Sequence, residues 1–445
     1  MKREFTRLLE NKITNALKTI GCVLIEGPKH SGKTFLAKKI SNSQFYVQSQ
    51  TKFYIQAENQ FYVQDNKKIL EGKSHNSKPK IIDELEILNG LKPRLIDEWQ
   101  IAPQIWDEVR FRIDQSDDPA GLYILTGSSK INFSKVSHSG AGRILIIPTN
   151  TLTFAEICPE EDKVSLKDLF FNPENMDPNI FTEFGFEQTI QQLINGGWPY
   201  PLANNISSQN TIKSYLSALA NKDEIAFEEF NLKSILLEPI LISLARLNGT
   251  QIKQTAILND LNVKLNVRTL IKYLDHIKNQ YLIFNLSPWW KALNNSNSKT
   301  LIRSTSKTYW TDPSIGLYLL KIKNINQLYN DLNTLTIYFE NQVIKDLVVY
   351  ANALNGNLYF YRDSNGFEID AIMELDDGKW AAFEIKLSEI NFDQAAQNLL
   401  RFEKRILEQK IKQTPASFLM IISAQNYGYQ REDGVYVIAH SCLGV

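Results

Sequence analysis

The sequence contains little cysteine. Of its 445 residues only Cys22, Cys158 and Cys442 are cysteines, and they lie far apart. An odd number of widely spaced cysteines argues against a disulfide framework and against a CxxC metal site. The five histidines also lack the spacing of zinc ligands, so no structural zinc is predicted. Such cysteine usage is expected of a protein of the reducing cytoplasm.

Long hydrophobic runs are also missing. The longest, at 122–127 and 417–423, are far shorter than the roughly 20 apolar residues that span a bilayer, so no transmembrane helix and no membrane partner are predicted. The N-terminus lacks the apolar core and cleavage site of a secretory signal, so export is not expected. With 43% hydrophobic and 22% charged residues, the chain is expected to be globular and to contain two or three domains.

The formal net charge is zero, but the charge is unevenly distributed along the chain. Residues 251–310 contain nine Lys and Arg against two Asp, a local charge of +7. That excess predicts a surface that faces a polyanion such as DNA.

The first 150 residues alternate between short apolar runs and helical stretches. VLIE (23–26), RLID (94–97) and LYILTG (122–127) are predicted as buried strands, and 33–41 and 103–115 as helices. This pattern favours an α/β domain with a mostly parallel sheet over residues 1–150. FYVQ, FYIQ and FYVQ also recur every eight residues at 45–48, 53–56 and 61–64; they predict short strands or hairpins and carry no assigned function.

The segment VLIEGPKHSGKTFLAKKI contains the full phosphate-loop pattern G-x-x-x-x-G-K-[ST], with an apolar strand before it and a helix after it. Glycines let backbone N–H groups surround a phosphate. Lys33 is expected to contact the β- and γ-phosphates of ATP, and the Thr34 hydroxyl to ligate Mg²⁺. A glycine turn before a helix is the structural alternative. The predicted ATP-binding residues are Gly27, Pro28, Lys29, His30, Ser31, Gly32, Lys33 and Thr34.

LIDEWQ places Asp97 and Glu98 at the end of an apolar strand, where an open α/β sheet binds its ligand. Asp97 is predicted to hold Mg²⁺, directly or through water, and Glu98 to orient and deprotonate the attacking water. A solvated loop start is the alternative. The strand LYILTGSS ends in Thr126 and Ser128, which could hold that water or sense the γ-phosphate, although a Ser/Gly turn is an equally good interpretation.

The segments GPKHSGKT, LIDEWQIAP and YILTGSS followed by SGAGRI closely resemble a group of prokaryotic AAA+-type P-loop ATPases whose C-terminal half is an uncharacterised domain. GGWP (196–199), YWTDPSIGLYL (309–319), FENQV (339–343), FEIDAIM and FEIKLS resemble that group's C-terminal pattern, so the resemblance touches nearly the whole chain. It implies an AAA+-like domain that binds ATP and Mg²⁺. This sequence departs from the group in two ways. It lacks the arginine that the group usually has near Lys29, and it contains the FYVQ repeat, which is not expected of the group.

The resemblance also implies roles for single residues. Thr126 or Ser128 would fall at the sensor position, and Arg143 at the arginine of the AGR motif. Arg143 would then stabilise γ-phosphate charge in the transition state, from its own chain or from a neighbour in a homo-oligomer. A surface arginine that closes a turn is the alternative.

The middle of the chain is predicted as a connector or helical lid region over 151–211 and a winged-helix-like unit over 212–299. A short helix around 252–261 precedes a helix whose apolar face repeats with helical spacing, and an apolar strand follows. That face consists of Leu270, Leu274, Ile277 and Tyr281. In a winged helix the second helix enters the major groove of DNA. The residues it would expose there are Arg268, Thr269 and Lys272. A packing or oligomerisation module with solvated lysines is the alternative.

Residues 300–445 are predicted as a third α/β domain, which resembles the restriction-endonuclease-like PD-(D/E)XK fold. FEIDAIME places Asp370 on one strand, and FEIKL places Glu384 and Lys386 on one face of the next. The two carboxylates could bind a divalent cation while Lys386 polarises the attacking water, and Glu340 in the preceding helix could add a carboxylate. A solvated strand with an ordinary ion pair, or an inactive relative used for binding, are the alternatives.

These observations predict an ATPase that uses hydrolysis to drive a conformational cycle, acting on DNA or on a partner protein. The rival interpretation is a regulatory switch or adaptor that binds a protein partner, hydrolyses ATP slowly and carries an inactive nuclease-like domain.

Overall fold

The computed structural model describes residues 3–46, 60–63, 69–72, 80–82, 87–130, 139–158, 163–230, 234–261, 265–289, 305–409, 411–412 and 414–445. The chain divides into two units. We call Leu9–Asn150 together with Asn279–Tyr281 the N-terminal unit. The C-terminal unit consists of Met1–Leu8, Thr151–Lys278 and Leu282–Val445.

The N-terminal unit contains both helices and strands, as the sequence predicts. In chain order they are α1 (Glu10–Leu17), β1 (Cys22–Glu26), α2 (Lys33–Ile40), β2 (Ser43–Tyr46), β3 (Gln60–Val63), β4 (Ile69–Gly72), β5 (Lys80–Ile82), β6 (Arg94–Asp97), α3 (Gln104–Asp114), β7 (Tyr123–Gly127) and β8 (Ile144–Pro148). Within the described residues, five of these strands form a parallel sheet in the order β2–β6–β7–β1–β8. The parallel-sheet prediction is therefore confirmed.

The three central strands of this sheet, β1, β6 and β7, are buried on both faces. Leu24, Ile96 and Leu125 are at most 1% exposed and belong to an apolar cluster that includes Trp106 and Val109 of α3. Strands covered on both faces need apolar residues throughout, which explains why the sequence shows them as continuous apolar runs. Because the strands are parallel, the loops that follow them meet at one edge of the sheet.

The FYVQ repeat lies only partly within the described residues. Its first copy begins in β2, and its third copy lies largely in β3, which forms an antiparallel sheet with β4 and β5. The second copy, at 53–56, lies outside the described residues.

The C-terminal unit begins with helices and continues with a large sheet. Its elements are α4 (Phe154–Ile157), β9 (Val164–Ser165), α5 (Leu166–Phe171), β10 (Ile180–Phe181), α6 (Phe186–Asn195), α7 (Pro199–Ala203), α8 (Gln209–Phe230), α9 (Leu237–Arg246), α10 (Gln254–Asp260), α11 (Val267–Asn279), β11 (Ile283–Pro288), β12 (Lys307–Trp310), α12 (Pro313–Leu319), α13 (Ile325–Tyr329), α14 (Leu332–Ala353), β13 (Gly356–Arg362), β14 (Glu368–Leu375), β15 (Trp380–Lys386), α15 (Phe392–Glu408), β16 (Phe418–Ser423), β17 (Tyr427–Gln430), β18 (Tyr436–Ala439) and β19 (Leu443–Gly444).

In the part of the chain that the structure describes, nine strands form one mixed sheet in the order β10–β17–β18–β16–β15–β14–β13–β11–β12. One apolar core draws on all three regions that the sequence divides at 211 and 299, for example through Trp198, Leu244 and Phe383. The structure thus groups these regions in a single unit, because β11 pairs both with β12 and with β13.

Two segments that carry the family resemblance contact each other in this unit. Asp312 of YWTDPS accepts a hydrogen bond from the backbone N–H of Gly197 (2.8 Å), and Ser314 accepts one from the Trp198 indole N–H (2.9 Å). A Cβ on Gly197 would lie 2.2 Å from the carbonyl oxygen of Leu152, so only glycine fits there. The GGWP segment is therefore explained by packing.

The end of α11 differs from the prediction. The helix stops at Asn279, and Tyr281 has a left-handed φ of 56°, so Tyr281 does not continue the helical face. It belongs instead to the N-terminal unit, and Tyr273 is buried with Leu270 and Ile277.

Among the described residues, no helix combines the length and the apolar character that crossing a membrane requires.

Candidate nucleotide site and carboxylate–lysine cluster

The phosphate loop connects β1 to α2 at the carboxyl edge of the parallel sheet. Its backbone takes left-handed conformations at His30 (φ 61°) and Gly32 (φ 88°). A Cβ on Gly27 would lie 2.5 Å from the carbonyl oxygen of Thr149, so the first glycine is required sterically. The turn therefore brings the N-terminus of α2 to the end of β1, the geometry in which backbone N–H groups bind an anion.

The loop also encloses its lysine. Lys33 is 5% exposed, and its Nζ donates to the carbonyl oxygen of Pro28 at 2.6 Å. Ser31 is fully buried, whereas Lys29 is half-buried and His30 exposed. The ammonium group thus lies within the loop that the sequence predicts to surround phosphate.

Asp97 at the end of β6 faces the first residues of α2. Thr34 Oγ1 donates to Asp97 Oδ1 at 3.0 Å, and the Thr126 hydroxyl donates to the same oxygen. Oδ2 of Asp97 is buried and has no hydrogen-bond partner among the described residues. Burial raises the pKa of Asp97, although the hydrogen bonds from Thr126 and Thr34 oppose the shift. A carboxylate oxygen without a donor, beside a threonine hydroxyl, fits the ligands of Mg²⁺.

Glu98 follows in a strained conformation, with φ 57° and ψ 43°. Its backbone N–H donates to Thr126 Oγ1 (3.2 Å), and Ser128 Oγ donates to Glu98 Oε2 (2.9 Å). Left-handed conformations of non-glycine residues cost free energy and concentrate at functional sites. The turn directs the Glu98 carboxylate toward the end of β7, so Asp97, Glu98, Thr126 and Ser128 lie together.

Sequence reasoning missed Gln100. Its Nε2 donates to Glu98 Oε2 and lies 3.3 Å from Ser128 Oγ. The sequence shows a polar residue two positions after Glu98, but the direction of its side chain depends on the short helical turn Trp99–Ile101, which the sequence did not predict. Gln100 therefore helps to hold the Glu98 carboxylate.

A second feature that the sequence did not indicate is the segment Asn279–Tyr281, which belongs to the N-terminal unit. The backbone N–H of Lys130 donates to the carbonyl oxygen of Asn279 at 2.9 Å, and Lys130 Nζ lies 5.8 Å from the centre of the Tyr281 ring. Burial raises the pKa of Glu26, the residue before Gly27, while Tyr281 and Lys130 oppose the shift. The segment thus lies beside the last residue of β1.

Arg143 is not brought together with these residues. It directly precedes β8, and its carbonyl oxygen accepts from the backbone N–H of Cys22, the first residue of β1. The phosphate loop follows the other end of β1, about 16 Å away at roughly 3.3 Å per residue. The Arg143 side chain is 47% exposed and lies 2.7 Å from Asp114. Its position does not support contact with a nucleotide bound to the same chain.

The three predicted nuclease-like residues on β14 and β15 are neighbours. Lys386 Nζ lies 2.6 Å from Glu384 Oε2 and 3.3 Å from Asp370 Oδ2, and the backbone N–H of Ile385 donates to Asp370 Oδ2 (2.8 Å). Burial, and next the charge of Asp370, raise the pKa of Glu384 to about 8. The antiparallel pairing of β14 with β15 produces this cluster.

Glu340 lies close enough to Asp370 that the charge of Asp370 helps to raise its pKa, after burial, which is the main cause. Its Oε1 accepts from Tyr309 Oη at 2.6 Å and lies 3.3 Å from Lys307 Nζ. Among the described residues, no group of three or more His, Cys, Asp and Glu side chains could hold a metal ion.

The three residues predicted to contact DNA lie in the first half of α11. Arg268 and Lys272 are exposed, and the backbone N–H of Thr269 donates to Asn266 Oδ1 (2.8 Å), which caps the helix. Val267 and Ile271 on the same face are 45% and 39% exposed.

Comparison with known proteins divides the chain into three matched segments. Residues 20–158 match the family described as AAA domain. Residues 186–326 match a domain of unknown function (DUF8612), and residues 336–443 match another (DUF4143). Residues 20–158 are therefore an AAA-type P-loop ATPase domain.

The uncharacterized proteins Mb2031c of Mycobacterium bovis and Rv2008c of Mycobacterium tuberculosis are each 22% identical to this chain over 378 residues, which cover 84% of this chain and 72% of the relative. Among solved structures, the Walker-type ATPase PABY2304 of Pyrococcus abyssi is 14% identical, with a TM-score of 0.41 and coverage of 71% of this chain and 96% of that one. A half-complex of Thermococcus gammatolerans McrB AAA+ hexamers with bound McrC is 11% identical, with a TM-score of 0.19 and coverage of 66% and 74%.

Proposed function

We propose that this chain binds ATP with Mg²⁺ at residues 27–34 and hydrolyses it to drive a conformational cycle. The arrangement of Thr34, Thr126 and Asp97 carries the proposal. One Asp97 oxygen accepts from both threonine hydroxyls, while the other has no donor among the described residues. Thr34 and Asp97 would hold Mg²⁺, which supplies charge neutralisation at the phosphates.

The residues of the chain then divide the chemistry between them. Lys33 and the loop N–H groups bind the β- and γ-phosphates. Glu98 accepts the proton of the attacking water and is held for that task by Ser128 and Gln100. Thr126 donates to Asp97 Oδ1 and accepts from the backbone N–H of Glu98, so it ties the Asp97 carboxylate to the Glu98 backbone.

The helical region supports DNA as the polymer on which the cycle acts. Three helices, α9, α10 and α11, precede the antiparallel pair of β11 and β12, and Thr250 between α9 and α10 bridges to Thr308 of β12. This is the element order of a winged helix, in which α11 would enter the major groove with Arg268, Thr269 and Lys272. Exposed Val267 and Ile271 could contact thymine methyl groups.

ATP turnover with and without duplex DNA tests the DNA motor against the rival nucleotide switch. Strong stimulation by DNA is expected of the motor. Slow hydrolysis that DNA does not change would instead support a switch or adaptor that binds a protein partner.

Substitution in α11 examines the surface itself. Arg268→Ala and Lys272→Ala are expected to weaken DNA binding, and the loss of one phosphate contact lowers the salt slope by about 1. Lys213→Ala removes an exposed lysine of α8 and serves as the control. If all three variants and the parent bind DNA with equal affinity, the DNA-binding surface lies outside α11.

A second candidate activity is DNA cleavage by the C-terminal unit. The order α14–β13–β14–β15–α15–β16, with antiparallel pairs up to β15 and a helical crossover to a parallel β16, supports a restriction-endonuclease-like core. Asp370 and Glu384 would hold a divalent cation, and Lys386 would polarise the attacking water.

Plasmid and single-stranded DNA incubated with Mn²⁺ test this activity beside Lys386→Ala. Cleavage that the substitution abolishes is expected of a working nuclease. No cleavage by either protein would indicate an inactive relative used for binding, and equal cleavage would indicate contamination or another site.

Arg143 suggests a homo-oligomer. Because it lies at the opposite edge of the sheet from its own phosphate loop, it would act on a nucleotide held by a neighbouring chain. Mixing Arg143→Ala with Lys33→Ala chains should restore part of the turnover that each lacks alone. Arg143→Ala protein with parental turnover per chain at every protein concentration would contradict this role.

A further inference from the structure

Three cationic side chains of the N-terminal unit surround one aromatic ring. Arg94 and Tyr123 are the first residues of β6 and β7, and the parallel register places them side by side. Lys92 Nζ lies 3.6 Å from the centre of the Tyr123 ring, and the Arg112 side chain of α3 donates to the Tyr123 hydroxyl. We call Lys92, Arg94 and Arg112 the basic cluster. The phosphate loop follows the last residue of β1, so the basic cluster lies at the other edge of the parallel sheet.

Two of these cations have only neutral partners. Arg94 is 7% exposed; its Nε donates to the carbonyl oxygen of Ile87, and its Nη1 lies 3.2 Å from Ser43 Oγ. Lys92 Nζ donates to the carbonyl oxygen of Leu88 at 2.7 Å. Among the described residues, neither cation forms an ion pair with a carboxylate, and Arg94 Nη2 makes no hydrogen bond. Enclosed charges of one sign are costly unless an opposite charge joins them.

The turn before β6 leaves the cluster accessible. Gly90 has a φ of 142°, and a Cβ there would lie 2.2 Å from Arg94 Nη1, so only glycine leaves room for the guanidinium. Asn89, which accepts from Arg112 Nη1 at 2.6 Å, is exposed, and Lys92 is only half-buried. An anion in solution can therefore reach the donors of the cluster.

The cations also weaken each other. Burial, and next the charges of Arg94 and Arg112, lower the pKa of Lys92 to about 7. The other groups that face Lys92 are Tyr123 and Cys22, and burial raises the pKa of both, so they are neutral near pH 7. A bound anion would favour the charged form of Lys92, and binding would take up a proton near that pH.

We propose that the basic cluster binds the phosphate group of a small phosphorylated molecule. A terminal phosphate carries roughly two negative charges and three acceptor oxygens, which suit two guanidinium groups and an ammonium. A half-enclosed cluster suits one terminal phosphate, whereas a nucleic acid presents a continuous row of phosphodiesters. The site does not depend on ATP binding at the phosphate loop.

Sulfate is a suitable probe, because its charge does not change between pH 6 and pH 8. Equilibrium dialysis of the full-length protein with radiolabelled sulfate measures binding. Lys92→Met is expected to weaken it about 10–10²-fold, since a hydrogen bond between charged groups is lost. Lys18→Met, which removes an exposed lysine that donates to Asn15, is the matched control and should bind as the parent does.

The pH dependence gives a second measurement. Lys92 is charged below its pKa, so the parent should bind sulfate about tenfold more weakly at pH 8 than at pH 6. Lys92→Arg keeps its charge at both pH values and should lose this difference. An unchanged difference in Lys92→Arg would contradict the assignment of the proton to Lys92 and overturn the inference.

The phosphate loop is the other place where sulfate could bind. Loss of binding in Lys33→Ala, with parental binding in Lys92→Met, would assign sulfate to the loop and overturn the inference while leaving the proposed ATP site intact. Asp83, Glu84 and Glu86 precede Ile87 in the sequence and lie outside the described residues. A parent that binds no sulfate would mean that a carboxylate of the chain itself neutralises the cluster, which would also overturn the inference.

Competition identifies the class of phosphate. Methyl phosphate should displace sulfate more strongly than dimethyl phosphate, because the site is proposed to take a terminal group. Equal displacement would contradict that class and indicate a phosphodiester. Thermal melts identify the folded variants, and if Lys92→Met does not fold, Lys92→Gln gives the same test.

Discussion

The two candidate sites differ in the groups that their carboxylates face. In the N-terminal unit, Asp97 and Glu98 accept from the neutral side chains of Thr34, Thr126, Ser128 and Gln100. In the C-terminal unit, Asp370, Glu384, Glu340 and Glu368 each lie beside a lysine ammonium. Neutral donors orient a carboxylate but do not cancel its charge, so the proposed Mg²⁺ would add positive charge at the first site to that of Lys33, which already favours the ionised form of Asp97. At the second site, Lys307 and Lys386 already neutralise much of the carboxylate charge.

The largest expected effect is on the chemistry of the first site. Glu98→Gln keeps the shape of the side chain and its contact with Ser128 but removes the base, so ATP should still bind while turnover falls by about 10²–10⁴-fold. Nucleotide binding and single-turnover hydrolysis measure the two effects separately. Glu108→Gln, in an ion pair of α3 with Arg112, is the matched control. Parental turnover in Glu98→Gln would remove Glu98 from the reaction.

The next effect concerns the resident positive charge of the first site. Lys33→Ala should lower ATP affinity by roughly 10–10²-fold, because a hydrogen bond to a charged group contributes about 1.5–3 kcal/mol. Equilibrium titration with a fluorescent ATP analogue measures it. Lys39→Ala removes a lysine from the same helix, where it pairs at the surface with Glu10 (2.8 Å). Equal losses in both variants would indicate a general effect of charge.

Gly27→Ala examines whether the loop is held by its backbone. The added Cβ would meet the Thr149 carbonyl at 2.5 Å, so we expect a loss of about 1–3 kcal/mol in the free energy of unfolding, with weaker ATP binding. Gly142→Ala is the control. Gly142 also has a left-handed φ, of 76°, but a Cβ there would have no atom within 4 Å, so this variant measures the cost of the backbone conformation alone. Denaturant unfolding compares the two variants. Equal losses in the free energy of unfolding would mean that Thr149 can shift to accommodate the added Cβ at little cost.

The last prediction is a pH dependence of the second site. The pKa of Glu384 is raised to about 8 in the folded chain, so its neutral form is favoured by folding. Its contribution to stability is complete below the unfolded pKa of about 4.3 and is lost as the pH rises through about 8. Glu384→Gln should therefore flatten the change in unfolding free energy between those limits. Parallel curves for the two proteins would show that the Lys386 pair already cancels the effect.

The elements predicted most accurately are those whose structure depends on residues that are close together in the sequence. The strands at 94–97 and 122–127 and the phosphate loop follow from local apolar runs and glycine spacing. Strand order does not follow from them, and the position of Arg143 was missed because β8, the strand that begins directly after it, was not predicted. The role of Tyr281 was missed because helical spacing continues through a residue that leaves the helix.

The basic region at 251–310 shows why charge counts are an incomplete guide. Counting treats every lysine as solvent-facing. Arg268 and Lys272 are exposed, as expected of a polyanion-binding surface, but Lys307 is enclosed by carboxylates that lie 33 and 61 positions later in the chain. Such pairing arises only when β12, α14 and β14 are brought together by folding.

The segment Asn279–Tyr281 makes the AAA-type domain discontinuous in sequence. A shortened chain ending at residue 158 would keep every residue assigned to ATP and Mg²⁺, yet it would lose the carbonyl that Lys130 N–H bonds and the ring that lies beside Glu26. The motifs therefore lie within the first 158 residues, whereas the folded unit also needs residues 279–281. An excised ATPase would lack a part supplied from more than 120 residues further along the sequence, between α11 and β11.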